Sequence, residues 1–424
     1  MRLVSAHSTL SGAVRIPASK SHTIRALLIA SMAEGRSELI EPLASGDTLS
    51  CLAACEAFGA SITKAPDRWI VESSGALRVP DDVVNTGNSG TTLYLAMGAA
   101  ALCNGATVFT GDYQIRRRPA QELIGALGQL GAHAFSTRGN GCAPIVVSGP
   151  MKGGRAALSA PTSQYLSSLL LACPCAQGDT AISLSLVNEI PYVEMTLDWL
   201  SSQGIRFDRA DDFRSFHIPG GQRYRPFVRA IPGDFSSATF FLVAAAITGS
   251  DVTLHGLDLN DKQGDKAVIG MLRAMGARID AADDGIRVRG GALHGCELDL
   301  NATPDALPAL AVAGCFAGGE TRLVNVAHAR NKETDRIAVM KTELERLGAD
   351  ISELPDGLVI RHRPLRGGSV HGHDDHRVVM ACAVAGLRCA EPVVVDTAEA
   401  MEITFPLFVA LMRSLGGNVA RETR

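Results

Sequence analysis

The residues with the most chemical reach in this chain are cations set beside small polar neighbours. They are Lys20 and Arg25 around Ser19-Lys20-Ser21, the run Arg116-Arg117-Arg118 ahead of Pro119, Lys332-Glu333-Thr334-Asp335-Arg336, and Asp375-His376-Arg377. Arg suits a bidentate grasp of carboxylate or phosphate, whereas Lys delivers a point charge and can lose its proton when desolvated. Lys20 and Arg25 fall in or beside the first turn of a predicted helix. Free backbone N–H groups and the positive end of the helix dipole already favour an anion there. A single Arg-rich turn is ordinarily a solvated face, and recurrence is what gives this one weight. Asp305 and Glu333 add proton chemistry, since each heads a predicted helix with no partner at i+4. Helix capping is the plain alternative, stronger for Asp305 than for Glu333.

Other chemistries are poorly supported. His371-Gly372-His373-Asp374-Asp375-His376 has the residue types of a metal cluster. Arg377 beside it repels a cation and no second ligand group stands out, so no metal is expected. There is no Ser-His-Asp or nucleophile-elbow pattern. Neither a Gly-x-Gly-x-x-Gly turn after a strand nor a Gly-x-x-x-x-Gly-Lys-Ser/Thr loop occurs, so nucleotide cofactors are unsupported.

The elements that must hold these residues repeat. A polar start followed by a small-residue apolar helix appears at Ser19-Lys20-Ser21, Asn88-Ser89-Gly90-Thr91, Thr162-Ser163-Gln164, Asp234-Phe235-Ser236-Ser237, Pro304-Asp305 and Asp374-Asp375-His376-Arg377. Successive copies lie about 70 residues apart. In the first, Pro17 stops a strand-like opening, Ser19 suits the N-cap, and the apolar run 24–33 is expected to end at Gly35. Pro119 is expected in the first turn of the helix after the arginine run. A second series of amphipathic helices shares the spacing and stops at Gly59, Gly131, Gly204, Gly276, Gly348 and Gly416. β-Branched runs at 143–148, 285–289, 357–361 and 392–396 read as strands. Each unit is then strand, helix, strand, helix, strand, strand.

A chain of 424 residues with 46% hydrophobic content exceeds one core and can fill two. Prolines at 226 and 232 precede the fourth copy, as Pro17 precedes the first. The expected division is a discontinuous domain, 1–15 with 232–424, and a second, 16–231, with the polar helix starts of both facing a cleft. Net charge is −4 with both signs mixed, which gives no basic stripe for nucleic acid and no charge block for a membrane surface. Apolar stretches such as 240–247 fall short of a span, and the opening residues lack a signal peptide's apolar core. Cytoplasm is the default, and a monomer is expected. Ten cysteines without a Cys-x-x-Cys pair read as free thiols, with Cys51, Cys55, Cys315 and Cys382 in helical patterns.

Taken in order, these motifs resemble the 5-enolpyruvylshikimate-3-phosphate synthase (3-phosphoshikimate 1-carboxyvinyltransferase) family. The resemblance also runs through Gly87-Asn88-Ser89-Gly90-Thr91, Arg118-Pro119, Ser163-Gln164-Tyr165-Leu166, Pro191-Tyr192-Val193-Glu194, Gly233-Asp234 and Thr404-Phe405-Pro406. It covers nearly the whole chain. It implies a two-domain inside-out α/β barrel of six βαβαββ repeats, with no metal and no cofactor. The implied reaction adds an acceptor hydroxyl to C2 of phosphoenolpyruvate while C3 is protonated, and the adduct then loses phosphate.

By the same resemblance Lys20, Gly90, Arg118, Gln164, Arg336 and Arg377 would bind phosphoenolpyruvate. Ser21, Arg25, Thr162, Ser163, Gln164, Tyr192, Asp305 and Lys332 would hold shikimate 3-phosphate or an analogue. Asp305 would draw the hydroxyl proton, and Glu333 with Lys20 would handle the methylene proton. Two anionic reactants need several fixed cations, and proton shuttling needs carboxylates tuned by them.

Four positions depart from the family pattern. Tyr94 and Ile403 stand where it carries Arg and Lys, which removes positive charge from the phosphoenolpyruvate region. Glu189 replaces a serine that holds the acceptor's phosphate, and His328 replaces an Asn near the ring. A carboxylate about 4 Å from a phosphate dianion costs on the order of several kcal/mol at an effective dielectric near 20, roughly a hundredfold or more in binding. Unless Glu189 turns away or pairs with a cation, that cost weighs against 3-phosphoshikimate as the acceptor. The alternative readings are a diverged member using another shikimate-like acceptor or eliminating on a shikimate-type ring without phosphoenolpyruvate, and a non-catalytic binder of the same fold. Lys20-Ser21, in place of Lys-Asn, argues against the sibling family that acts on a UDP-amino sugar.

Overall fold

The protein was analysed as a computed structural model that describes residues 1–282 and 285–422. Its helices are α1 (Lys20–Met32), α2 (Gly46–Ala57), α3 (Gly90–Ala100), α4 (Gln121–Gln129), α5 (Ser163–Ala172), α6 (Ile190–Ser202), α7 (Phe235–Thr248), α8 (Val268–Ala274), α9 (Leu307–Cys315), α10 (Arg336–Arg346), α11 (His376–Gly386) and α12 (Phe408–Ser414). They alternate in character. The odd-numbered helices are buried almost all round, and such helices must be enclosed by protein. Five of them open on a side-chain cap: Ser19, Ser89, Thr162, Asp234 and Asp375 each accept a backbone N–H of the first turn. α9 instead enters through the 3₁₀ turn Pro304–Ala306, without a side-chain cap.

The even-numbered helices run into Gly59, Gly131, Gly204, Gly276, Gly348 and Gly416, whose φ lies between 71° and 106°. Only glycine takes that left-handed turn without a steric cost, which is why the second series reads so cleanly from sequence.

Two boundary expectations are corrected. α1 ends at Met32, because Ala33 is already extended and bridges Tyr224; Gly35 lies inside the strand Glu34–Ile40 at φ 119°. Pro119 is not in the first turn of a helix. It bridges Cys142, and α4 begins only at Gln121.

Among the described residues the strands form six four-stranded sheets, giving a mixed α/β architecture. Each sheet contains one parallel pair of strands, to which the remaining two strands add antiparallel. In one, Gly154–Ala160 runs parallel to Thr180–Val187, which pairs antiparallel with Ser215–Ile218 and so with Asp208–Arg209. Chain contacts divide the molecule into a unit of Met1–Pro17 with Pro232–Arg424 and a unit of Ala18–Ile231, three sheets in each.

Each of the chain's two passages between units follows a strand that completes a sheet of the unit being left. Ser11–Arg15 precedes α1 but pairs in parallel with Asp251–His255, and Val228–Ala230 precedes α7 but pairs in parallel with Glu34–Ile40. Each unit has its own apolar core. Phe235, Phe240, Phe241, Phe405 and Phe408 are buried in one, and Trp199, Phe58 and Phe109 in the other. The ten cysteines are free thiols, and burial pushes those of Cys51, Cys315 and Cys382 up. Among the described residues no helix is long and apolar enough to cross a membrane.

Candidate active site

In the unit of Ala18–Ile231 the polar helix starts carry cations and hydroxyls. Lys20, the first residue of α1, places Nζ 3.0 Å from Asp47 Oδ2 in the first turn of α2. Arg25, one turn on, points inward rather than outward. Its guanidinium donates to Thr196 Oγ1 at 2.9 Å, to the Ser21 carbonyl at 3.0 Å, and to Ser167 Oγ and the Tyr192 carbonyl, both at 3.3 Å. Burial lowers its pKa to about 10, with Tyr192 and Glu189 opposing the shift. At the start of α3, Gly90 leaves room for the Arg118 guanidinium, with which a Cβ there would collide. Gln164 donates to Thr91 Oγ1 at 3.0 Å, tying the start of α5 to that of α3.

Glu189 is the surprise of this unit. It is buried, sits in left-handed backbone at φ 57°, and directs Oε2 onto the N-terminus of α5. That oxygen accepts from Ser163 Oγ at 2.7 Å, Ser163 N–H at 2.8 Å and Thr162 Oγ1 at 3.1 Å. Backbone N–H groups at a helix start favour any anion, and here the chain supplies its own. Glu189 therefore does not turn away from the predicted acceptor residues Thr162 and Ser163; it binds them. Tyr94 uses its hydroxyl on the Pro119 carbonyl at 2.9 Å and stacks edge-on with Tyr165 at 5.0 Å.

In the other unit, Asp305, Glu333, Arg336 and Arg377 form one network. Arg336, the first residue of α10, is wholly buried and receives three carboxylates: Asp305 at 2.7 Å, Glu333 at 2.5 Å and Asp375 at 2.8 Å. Arg377 reaches the second oxygen of Asp305 at 3.0 Å. Burial works against the Arg336 charge, yet Asp375, Glu333 and Asp305 together raise its pKa. Burial pushes the Asp375 carboxyl up, but the charge and hydrogen bond of Arg336 together with His376 bring it below the usual carboxylate range. Asp305 and Glu333 thus have partners after all, and Glu333 finds its own at i+3 rather than i+4. Lys332 follows the 3₁₀ turn Ala327–Asn331, in which His328 is buried, and Ile403 ends another, Ala398–Ile403, packed against the core.

Sequence reasoning missed several members. Asp265 is completely buried and hydrogen-bonded by Ser236 Oγ; burial, then the neighbouring Asp305, pushes its pKa up to about 6. Asp47, Thr196 and Ser167 were likewise unassigned. Their partners lie 27, 171 and 142 residues away in the chain, so no local spacing marks them. Among the described residues no group of three His, Cys, Asp or Glu is arranged to hold a metal.

The family model for EPSP synthase (3-phosphoshikimate 1-carboxyvinyltransferase) matches residues 4–412. The chain belongs to the EPSP synthase family. It is 54% identical over 414 residues to a 3-phosphoshikimate 1-carboxyvinyltransferase of Acetivibrio thermocellus, covering 97% of this chain and 98% of that one. A Ruminiclostridium cellulolyticum protein of the same name is 53% identical over 413 residues, covering 97% and 98%. Among solved structures an Acinetobacter baumannii EPSP synthase superposes with a TM-score of 0.83 at 28% identity, over 99% of this chain and 100% of that one. The two-domain α/β fold is thus that of EPSP synthases, and the buried carboxylate–guanidinium network is how this family member arranges the residues around Asp305 and Glu333.

Proposed function

We propose that the protein transfers the carboxyvinyl group of phosphoenolpyruvate to a hydroxyl of 3-phosphoshikimate, releasing phosphate. What carries the reading is the 54% identity to a 3-phosphoshikimate 1-carboxyvinyltransferase across 97% of the chain. The network of Asp305, Glu333, Arg336 and Arg377 supplies groups of the kind the chemistry needs. The acceptor hydroxyl forms a bond to C2 of phosphoenolpyruvate and gives its proton to Asp305, while Glu333 with Lys20 delivers a proton to C3. In the second step C3 returns a proton to that pair, the C2–O bond to phosphate breaks as the proton held by Asp305 passes to the departing phosphate oxygen, and the vinyl group is restored. Atoms and charge balance without a cofactor.

Arg336, Arg377, Arg118, Lys20, Gln164 and the Gly90 backbone would bind phosphoenolpyruvate. Arg25, Ser21, Thr162, Ser163, Gln164, Tyr192, Asp305 and Lys332 would hold the acceptor. Fixed cations stabilise the dianionic reactants and the adduct because they need no reorganisation during reaction. The test is phosphate release from phosphoenolpyruvate, with 3-phosphoshikimate and with shikimate as acceptors. Release should depend on acceptor, and none with either would overturn the reading.

A further inference from the structure

His373 and Asp374, consecutive and neither a glycine, hold left-handed backbone at φ 56° and 53° immediately ahead of Asp375. Side chains in that region carry a steric cost that persists only where the surroundings over-determine it. Glu343 of α10, wholly buried, is one such constraint. It accepts from the His371 backbone N–H at 2.9 Å through Oε2 and meets His373 Nε2 at 2.8 Å through Oε1. Arg346 holds the same Oε2 at 3.0 Å. On the other side, Asp396 accepts from the Gly372 N–H at 3.0 Å and contacts His371 Nδ1, and Thr397 Oγ1 accepts from the Asp374 N–H at 3.1 Å.

The turn held this way leads straight into the cap of α11. Asp375 receives the Arg377 N–H at 2.9 Å and Arg336 Nε at 2.8 Å. Arg336 and Glu343 lie on the same face of α10, two helical turns apart. One helix therefore grips the α11 start at two points, by a guanidinium on the cap and by a carboxylate on the turn before it. Neither Glu343 nor His373 has a part in the reaction described above.

We propose that Glu343 and His373 are positioning residues, a latch that fixes the left-handed turn so that Asp375, and through it Arg336 and Arg377, hold one geometry for phosphoenolpyruvate. The inference rests on the phosphoenolpyruvate-binding role given to those arginines and extends it to residues outside the site.

Glu343→Ala and His373→Gly test it. Glycine accepts positive φ freely, so any loss in His373→Gly cannot be assigned to backbone strain. Both variants should raise the KM for phosphoenolpyruvate about tenfold while leaving that for the acceptor within about twofold, since displacement by a fraction of an ångström weakens a fixed anion seat. Amides of residues 375–379 should exchange about tenfold faster with solvent, as a local opening would require. Glu343→Gln, which keeps the shape and an acceptor oxygen, should recover most of the phosphoenolpyruvate KM. Unchanged KM and exchange in folded His373→Gly would overturn the latch, as would an equal rise in both KM values. A wild type inactive on phosphoenolpyruvate would count against the functional reading, and the exchange measurement would still decide the latch.

Discussion

The two charged regions of this protein solve opposite problems with the same helix starts. Around Arg336, a buried cation is surrounded by carboxylates: Asp305, Glu333 and Asp375 bond it directly, and Asp265 lies buried near Asp305. Around Arg25 and α5, a buried cation is held by hydroxyls and carbonyls, and the buried carboxylate of Glu189 rests on helix N–H and hydroxyl donors. The first arrangement keeps proton-accepting groups fixed beside cations. The second is an anion seat that the chain fills itself. The difference teaches that a helix N-terminus is only half a specification; what completes it comes from elsewhere in the fold.

The sharpest way to break that contrast is to remove each buried cation in turn. Arg336→Met takes the shared cation away from three carboxylates and should cost about 3–5 kcal/mol of unfolding free energy, because under-compensated buried charge is the expensive outcome. Arg25→Met leaves neutral acceptors and should cost about 1–3 kcal/mol. Denaturant unfolding of both measures this, and equal losses would mean that the partners' charge does not matter. Next in size, Glu333→Gln should lower turnover roughly 10²–10⁴-fold, the usual reach of general acid–base catalysis. Turnover at the wild-type rate would remove Glu333 from the chemistry.

A pH series sharpens the acidic side. Burial raises the folded-state pKa of Asp265 from 3.8 to about 6, so the folded chain holds this proton more tightly than the unfolded chain. The stability it contributes is complete below the unfolded value and is lost as pH rises through about 6. Asp265→Asn, neutral throughout, should therefore be more stable than wild type by up to about 3 kcal/mol at pH 8, with the gap closing near pH 4. Parallel stability curves for the two proteins would contradict this. The smallest effect belongs to the other region. Glu189→Ser frees the three α5 donors and should lower the KM for 3-phosphoshikimate about tenfold, the scale of one charge-assisted hydrogen bond. A raised KM would show instead that Glu189 helps to hold the acceptor.

Much of the scaffold could be read in advance. Ser19, Ser89, Thr162, Asp234 and Asp375 cap helices because a short polar side chain just before an apolar run has little else to do locally. Gly35 and Pro119 misled for the same reason in reverse. Both have strong local preferences, but a strand claims Gly35 and a bridge to Cys142 claims Pro119. The candidate residues were legible as types. Their partners were not: Asp47, Thr196 and Asp265 carry no local signature, and Glu189 stood out as a departure without any sign of where its carboxylate would go.

From the order of residues alone came what short-range forces set: capping, the glycine stops, the apolar stripes, and the sixfold recurrence that marks the family. The folded arrangement decided which charges meet, that Arg336 gathers Asp305, Glu333 and Asp375, and that Glu189 occupies the start of α5. Coulombic and desolvation energies depend on distance in space and on burial, and neither is a property of neighbours along the chain.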